Sequence, residues 1–392
     1  MPVPDTDRIG SRIKEQRRLA RLTQRQLADR IPFSYSLLNQ VECGARPATP
    51  ELVDAVATAL RIDAAVLTGG EPREPRTGRV DVAKLLTPIR ESLDYYDLGP
   101  NEDLLEVRPV GALISAAEQV CRTVRATHLR AAAEDLPGLI VELTHIIWTS
   151  PTTEAWQALA SSYRTAHDVA LKLGYLDLAR VALDRMGWAA SHASTPCLAA
   201  VQRYKRAILL RSPASLRLLV TGQQLLDGLS SREALAVSGQ LHLGATAVAA
   251  RSGDQTGVAD HIAAAEELVG RLGGGAPEIH QLSFGRTNVA LHELGASITM
   301  RRYDDALVQA RKLRMPASAA TSRRARYLVD RALVEMEAGH SEASLRFLVQ
   351  ARHAAPEQTR HLPGTRITVR GLVHTSRRSS ETLTGMARWI GL

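Results

Sequence analysis

Aromatic residues make up only 4% of this chain, lysine occurs five times among 49 basic residues, and cysteine three times, at Cys43, Cys121 and Cys197. Strands draw on aromatic and β-branched side chains, so few aromatics within a 45% hydrophobic, Ala- and Leu-rich composition argue for packed helices over a β-sandwich. Three widely spaced cysteines fit neither a disulfide framework nor a zinc site, which points to a reducing compartment. No apolar run approaches the ~20 residues that span a bilayer, and Met1–Asp5 lacks the basic and apolar regions of a secretion signal. A cytoplasmic protein without membrane contact is therefore expected.

Catalytic signatures are also missing. His292-Glu293 has no second histidine at metalloprotease spacing, and Gly273-Gly274-Gly275 lacks the Lys-Ser/Thr that completes a phosphate loop. The twelve histidines are scattered, no carboxylate pair stands out, and nothing calls for a cofactor or metal. The chain reads as a non-enzyme.

What is present begins between residues 9 and 62, where helical patterns follow one another closely. Thr23 is a good N-cap for a helix carrying Leu27 and Ile31, and Ser34 for the next. In that second helix Leu37, Leu38 and Val41 fall at helical spacing and face inward, leaving Tyr35, Ser36, Asn39 and Gln40 outside. Hydrogen-bonding side chains on a helix face suit base edges better than they suit an apolar partner. Residues 1 to 50 hold nine Arg or Lys against five acids, a modest excess for a surface that meets phosphates. Arg12, Arg18, Arg25 and Arg46 are the candidate backbone contacts, which set register rather than sequence preference.

Residues 8 to 68 resemble the XRE (Cro/C1-type) DNA-binding domain. The resemblance is carried by Leu22-Thr23-Gln24, Leu27-Ala28, the Ser34 cap, Val41-Glu42 with Gly44, and Pro50, Leu52 and Leu60. It implies a five-helix fold in which Gln24 holds a phosphate and supports the recognition helix, while Tyr35, Ser36, Asn39 and Gln40 contact bases. The chain departs from the pattern at Pro32, where the family usually has Gly in the tight turn, and at Cys43, where a basic residue is common. Proline cannot supply a left-handed turn, so the presentation of the third helix is open at this point.

Gly69 to Gly78 reads as a linker, placed at 69–80, followed by a connecting helix (about Val82 to Tyr95) and loop over 81–109. From 110 to 392 the pattern is helical, with breaks near Thr127, Gly174, Ser212, Gly253, Arg302 and Gly339, spaced 47, 38, 41, 49 and 37 residues. That is the period of helix hairpins, so an all-α chain is expected: a DNA-binding domain over 1–68, then a TPR-like antiparallel hairpin solenoid. Leu136-Pro137, Leu171 to Ala179, Phe284 to His292 and Ala355 to Gln358 also resemble the actinobacterial class of XRE regulators with a TPR-like sensor. A more distant similarity is to peptide-sensing regulators that clamp a peptide backbone with asparagines, but this chain has only Asn39, Asn101 and Asn288.

For a ligand, Phe284, Asn288 and His292 are spaced four apart on an expected helix, with Gln281, Arg286 and Thr287 at the margins; Tyr163 with His167 is a second stripe. Either stripe equally fits polar residues that satisfy buried backbone groups. The expected function is a dimeric, sequence-specific regulator of transcription that binds a double-stranded operator, its repeats sensing a small molecule or peptide. Two rivals are a scaffold whose repeats grip another protein, and a toxin-control module whose repeats neutralise a partner enzyme. The C-terminal residues 301–392 hold seventeen Arg or Lys against eight acids, and arginine bias of the genome explains much of that excess.

Overall fold

A computed structural model describes residues 6–20, 22–60, 62, 64–68, 76–100, 106–210, 213–375 and 380–392. The described chain is all-α apart from one pair of two-residue strands. Its first helices are α1 (Thr6–Leu19), α2 (Gln24–Ala28), α3 (Tyr35–Glu42), α4 (Pro50–Leu60) and α5 (Ala64–Thr68). Their core gathers Ile13, Leu27, Leu38, Val41, Leu52 and Val56, the inward stripes of four helices. The Thr23 hydroxyl accepts from the Gln26 N–H while the Gln26 side chain accepts from the Thr23 N–H, a complete capping box; Ser34 accepts from the Leu37 N–H in the same way.

α6 (Arg76–Ser92) starts inside the segment expected to be a linker; residues 69–75 of that segment lie outside the described residues. A single interior glycine, Gly78, costs a helix only ~1 kcal/mol and does not break it. Beyond it come six antiparallel hairpins: α7 (Val110–Arg125) with α8 (Leu129–Thr149), α9 (Thr153–Lys172) with α10 (Leu176–His192), α11 (Pro196–Leu209) with α12 (Ala214–Gln224), α13 (Arg232–Ser252) with α14 (Gln255–Arg271), α15 (Arg286–Thr299) with α16 (Tyr303–Lys312), and α17 (Thr321–Glu337) with α18 (Ser341–Ala354). Among the described residues, five turns share one device. A left-handed residue, Thr127, Gly174, Gly253, Arg301 or Gly339, ends the first helix, and the next N–H returns to a carbonyl five residues back. Those bonds join His128 to Thr123, Tyr175 to Ala170, Asp254 to Ala249, Arg302 to Ser297 and His340 to Glu335, at 2.8 to 3.1 Å. They satisfy carbonyls that a helix C-terminus leaves open.

The stack returns on itself. α17 packs against α7, the Arg130 N–H donates to Glu357 at 2.9 Å, and Lys172 Nζ donates to Gln358 on α19 (Pro356–His361). Two further helices, α20 (Pro363–Thr375) and α21 (Glu381–Trp389), are tied together by Arg366 donating to the Ile390 carbonyl at 3.1 Å. By internal packing the chain divides into Met1–Asp81 with Arg366–Leu392, and Val82–Thr365. Residues 366–392, expected as part of the repeat domain, group by internal packing with the first unit.

The Tyr163 and His167 stripe is not a ligand surface. α9 is packed by α7, α8, α10 and α11, and Tyr163 and His167 lie inside that packing; Tyr163 is fully buried and its hydroxyl is pushed up to about 12 by desolvation. The His167 ring bonds the Ala179 carbonyl through Nδ1 at 3.0 Å, and burial first, then the Lys205 charge, lowers its pKa to about 4. Beside it Asp168 is desolvated, yet Lys205 and Arg125, at 2.5 and 3.1 Å, hold its carboxyl well below the usual range. A histidine kept neutral in the fold but protonated near 6.5 when unfolded supplies stability above that pH and loses it as pH falls toward 4. The loss at His167 is about 3 kcal/mol by linkage, and His167→Gln should flatten the stability-pH curve between 6.5 and 4 by one proton; an unchanged slope in urea titrations would exclude this residue as the source.

Candidate nucleic-acid interface and effector pocket

α3 presents the outer face expected from its spacing. Tyr35 is 46% exposed, Ser36, Asn39 and Gln40 are exposed, and Leu38, Val41 and Glu42 are buried opposite them. The helix is fixed from behind by a buried bidentate pair: Arg17 Nε and Nη2 donate to the two Glu42 oxygens, both at 2.7 Å, and Arg17 Nη1 donates to the Leu22 carbonyl at 2.8 Å. Gln24 extends this network outward. Its Nε2 donates to Glu42 at 2.8 Å and lies 3.3 Å from Asn39 Oδ1, while Tyr35 Oη donates to Gln24 Oε1 at 3.4 Å. Gln24, Tyr35 and Asn39 therefore form one connected group whose register is set by a buried ion pair.

α1 and α3 approach closely at Gly10, where a Cβ would stand 2.0 Å from the Val41 carbonyl oxygen. Only glycine fits there. At the other end Gly44, at φ 77°, closes α3, with Ala45 N–H returning to the Gln40 carbonyl at 2.8 Å. Pro32 lies in a turn where no residue has positive φ, so proline is compatible with the geometry and α3 keeps its place. Arg18, Arg25 and Arg46 are exposed, whereas Arg12 is half-buried and donates to the Leu67 carbonyl at 3.4 Å. Ser34 is occupied as the α3 cap.

In the repeat unit, the strands β1 (Gly275–Ala276) and β2 (Phe284–Gly285) pair antiparallel between α14 and α15. Their connection holds three non-glycine residues at positive φ: His280 at 45°, Gln281 at 54° and Ser283 at 62°. Each costs of order 1 kcal/mol or more, and the loop is held down by His280 Nε2 on Glu233 at 2.7 Å and by Arg164 on the His280 carbonyl. A cavity of about 450 Å³ opens beside this hairpin, lined by Gln281, Arg286, Thr287, Asn288 and Arg323 among others.

A family model described as a helix-turn-helix domain matches residues 8–68. The chain carries an N-terminal helix-turn-helix domain. Over 58 residues it is 44% identical to uncharacterized HTH-type transcriptional regulators from two strains of Mycobacterium tuberculosis. Each match covers 15% of this chain and 41% of the relative, so the chain spans less than half the length of the curated relatives it matches. A solved structure of PlcR from Bacillus thuringiensis, in complex with the peptide PapR7 and DNA, aligns at 13% identity and a TM-score of 0.32 over 89% of this chain and 94% of that one.

Outside the helix-turn-helix domain, the expected ligand stripe is partly corrected. Phe284 is not on a helix: α15 starts at Arg286, and the fully buried Phe284 ring fills space left by Gly239, where a Cβ would lie 2.0 Å from Cζ. His292 is half-buried and bonds the Asn288 carbonyl at 2.8 Å; desolvation, then the charges of Arg323 and Arg326, lower it to about 4. It does not line the cavity. Phe284, Thr287, Asn288, Gln281 and Arg286 do.

The residues that sequence reading missed in the helix-turn-helix domain are Arg17 and Gly10. Arg17 continues the spacing of Ile9 and Ile13, and a charge on an apolar stripe is a signal of a buried partner. Removing one member of such a pair leaves the other charge buried. Glu42→Ala should cost about 3–5 kcal/mol, while the double replacement Arg17→Met with Glu42→Leu should recover most of it. Denaturation of both variants checks this, and equal losses in the two would show that the cost lies in packing rather than in the unpaired charge.

Proposed function

We propose that the protein is a sequence-specific DNA-binding regulator of transcription that acts as a homodimer, with a repeat unit that senses a small molecule. The observation that carries this reading is the α3 face: Tyr35, Ser36, Asn39 and Gln40 are exposed together while a buried ion pair holds the opposite face. Asparagine and glutamine pair with adenine edges in the major groove, and tyrosine and serine donate to bases or phosphates. Exposed Arg25 and Arg46, with Gln24, suit the flanking backbone. One such reader makes few contacts, so two copies on half-sites spaced roughly 34 Å or a multiple apart supply the affinity.

The cavity beside α15 is the proposed sensor pocket. Its volume lies within the roughly 300–1,000 Å³ of small-molecule sites, and its hairpin carries clustered backbone strain of the kind that collects at ligand clamps. A ligand that binds two conformations of the repeat unit unequally shifts DNA affinity by that difference.

Selection of DNA from a random library by the full-length protein tests the first part. A paired motif is expected, and Tyr35→Ala or Asn39→Ala should each cost ~1–3 kcal/mol and relax preference at one base position. Arg25→Gln should weaken all sequences alike and reduce the salt slope by about one. Recovery of unselected DNA by wild type and variants alike would sink the reading.

A further inference from the structure

The sensor pocket has an unusual charge environment. α15 has Gly285 at its N-cap and so no side-chain cap, has no acid in its first turn, and its first residues Arg286, Thr287 and Asn288 line the cavity. The open N–H groups and the helix dipole both favour an anion there. Arg286 is exposed and has no ion-pair partner among the described residues, and Arg323 on the facing α17 spends one donor on the Leu282 carbonyl at 3.3 Å. Glu278, a carboxylate on the cavity wall, is taken by Arg232 at 3.0 Å.

A second, independent observation points inward. Asn288 is 2% exposed; its Nδ2 donates to Gln240 Oε1 at 3.1 Å, but its Oδ1 has no partner. A buried acceptor left open in a cavity wall asks for a donor. Behind it Gln240 donates to Tyr204 at 2.8 Å, and the next residue, Lys205, belongs with Arg125 to the pair of cations on Asp168. Lys172 completes this interior. Its ammonium donates to Gln358, and burial first, then the charges of Arg125 and Arg323, lower its pKa to about 7.

Resting on the reading of this cavity as the sensor pocket, we infer that its ligand is a small organic oxyanion, a carboxylate or a phosphate ester, which also carries one hydrogen-bond donor. The anionic group lies against the α15 N-terminus between Arg286 and Arg323. The donor, a hydroxyl or amine, meets Asn288 Oδ1.

Isothermal titration of the full-length protein with citrate, pyrophosphate and, as a cationic control, spermidine tests this, with the fold of every variant checked by its melting curve. Saturable binding of citrate or pyrophosphate but not spermidine is expected, and the tighter of the two anions separates the carboxylate source from the phosphate source. Arg323→Gln should weaken binding at least tenfold, and Asn288→Asp, which sets a carboxylate beside the anion, should abolish it. Arg286→Gln, on an exposed side chain, should also weaken binding and keeps the test readable if Arg323→Gln does not fold. Anion binding untouched by these variants overturns the proposal. A fragment screen by crystallography separates the two layers: only neutral or cationic compounds in the cavity overturn the oxyanion class and leave the pocket, whereas an empty cavity across the screen overturns both.

Discussion

A helix hairpin has one apolar stripe too many. Packing its two helices together covers one face, and the other stays exposed until a neighbouring hairpin covers it, so the second unit of this chain is stable only as a stack. That constraint accounts for the repeated left-handed turn, since each hairpin must reverse within a few residues and deliver its second helix at the same angle as the last. It also accounts for α9, against which four other helices pack, so that Ser162, Thr165, His167 and Asp168 become interior positions. The polar interior around Asp168, Lys205 and Arg125 follows from this burial rather than from any local sequence motif.

The helix-turn-helix domain solves a different problem. It must hold a short helix rigidly while leaving its polar face bare, and an eight-residue helix has too little apolar surface to do this by packing alone. Arg17 and Glu42 supply direction where burial supplies only affinity, and Gly10 lets the α1 backbone lie directly on α3. Gln24 then carries the order of the buried pair out to Asn39 and Tyr35. The side chains offered to a partner are thus arranged before any partner arrives.

Features governed by short-range chemistry were legible in the sequence. Thr23 and Ser34 cap the helices they precede, and the glycines at 174, 253 and 339 turn the chain where the period said they would. The outward set on α3 follows from Leu38 and Val41 alone. Features that depend on tertiary contact were not legible. Helical spacing carried Phe284 into a stripe with Asn288, but Gly285 interrupts the register and the residue belongs to a strand. Tyr163 and His167 form a true i,i+4 pair, yet their face of α9 is turned into the packing of neighbouring helices that spacing alone does not show. Arg17 and Glu42 stand 25 residues apart, beyond the reach of any periodicity. The cavity itself is built from the β1–β2 connection, the first turns of α15, the segment before α17 and Arg323, a juxtaposition set by tertiary packing.

An open solenoid behaves as a one-dimensional chain of nearest neighbours, and its terminal repeats fray because each has a partner on one side only. Here α17 of the last hairpin packs on α7 of the first, and α19 adds bonds to Arg130 and Lys172, so the terminal repeats have each other as partners. Losing either end then breaks two interfaces instead of one, which removes the cheap route by which such arrays unravel. The consequence is cooperativity: the repeat unit melts as a single block, and a disturbance at any hairpin is felt by all of them.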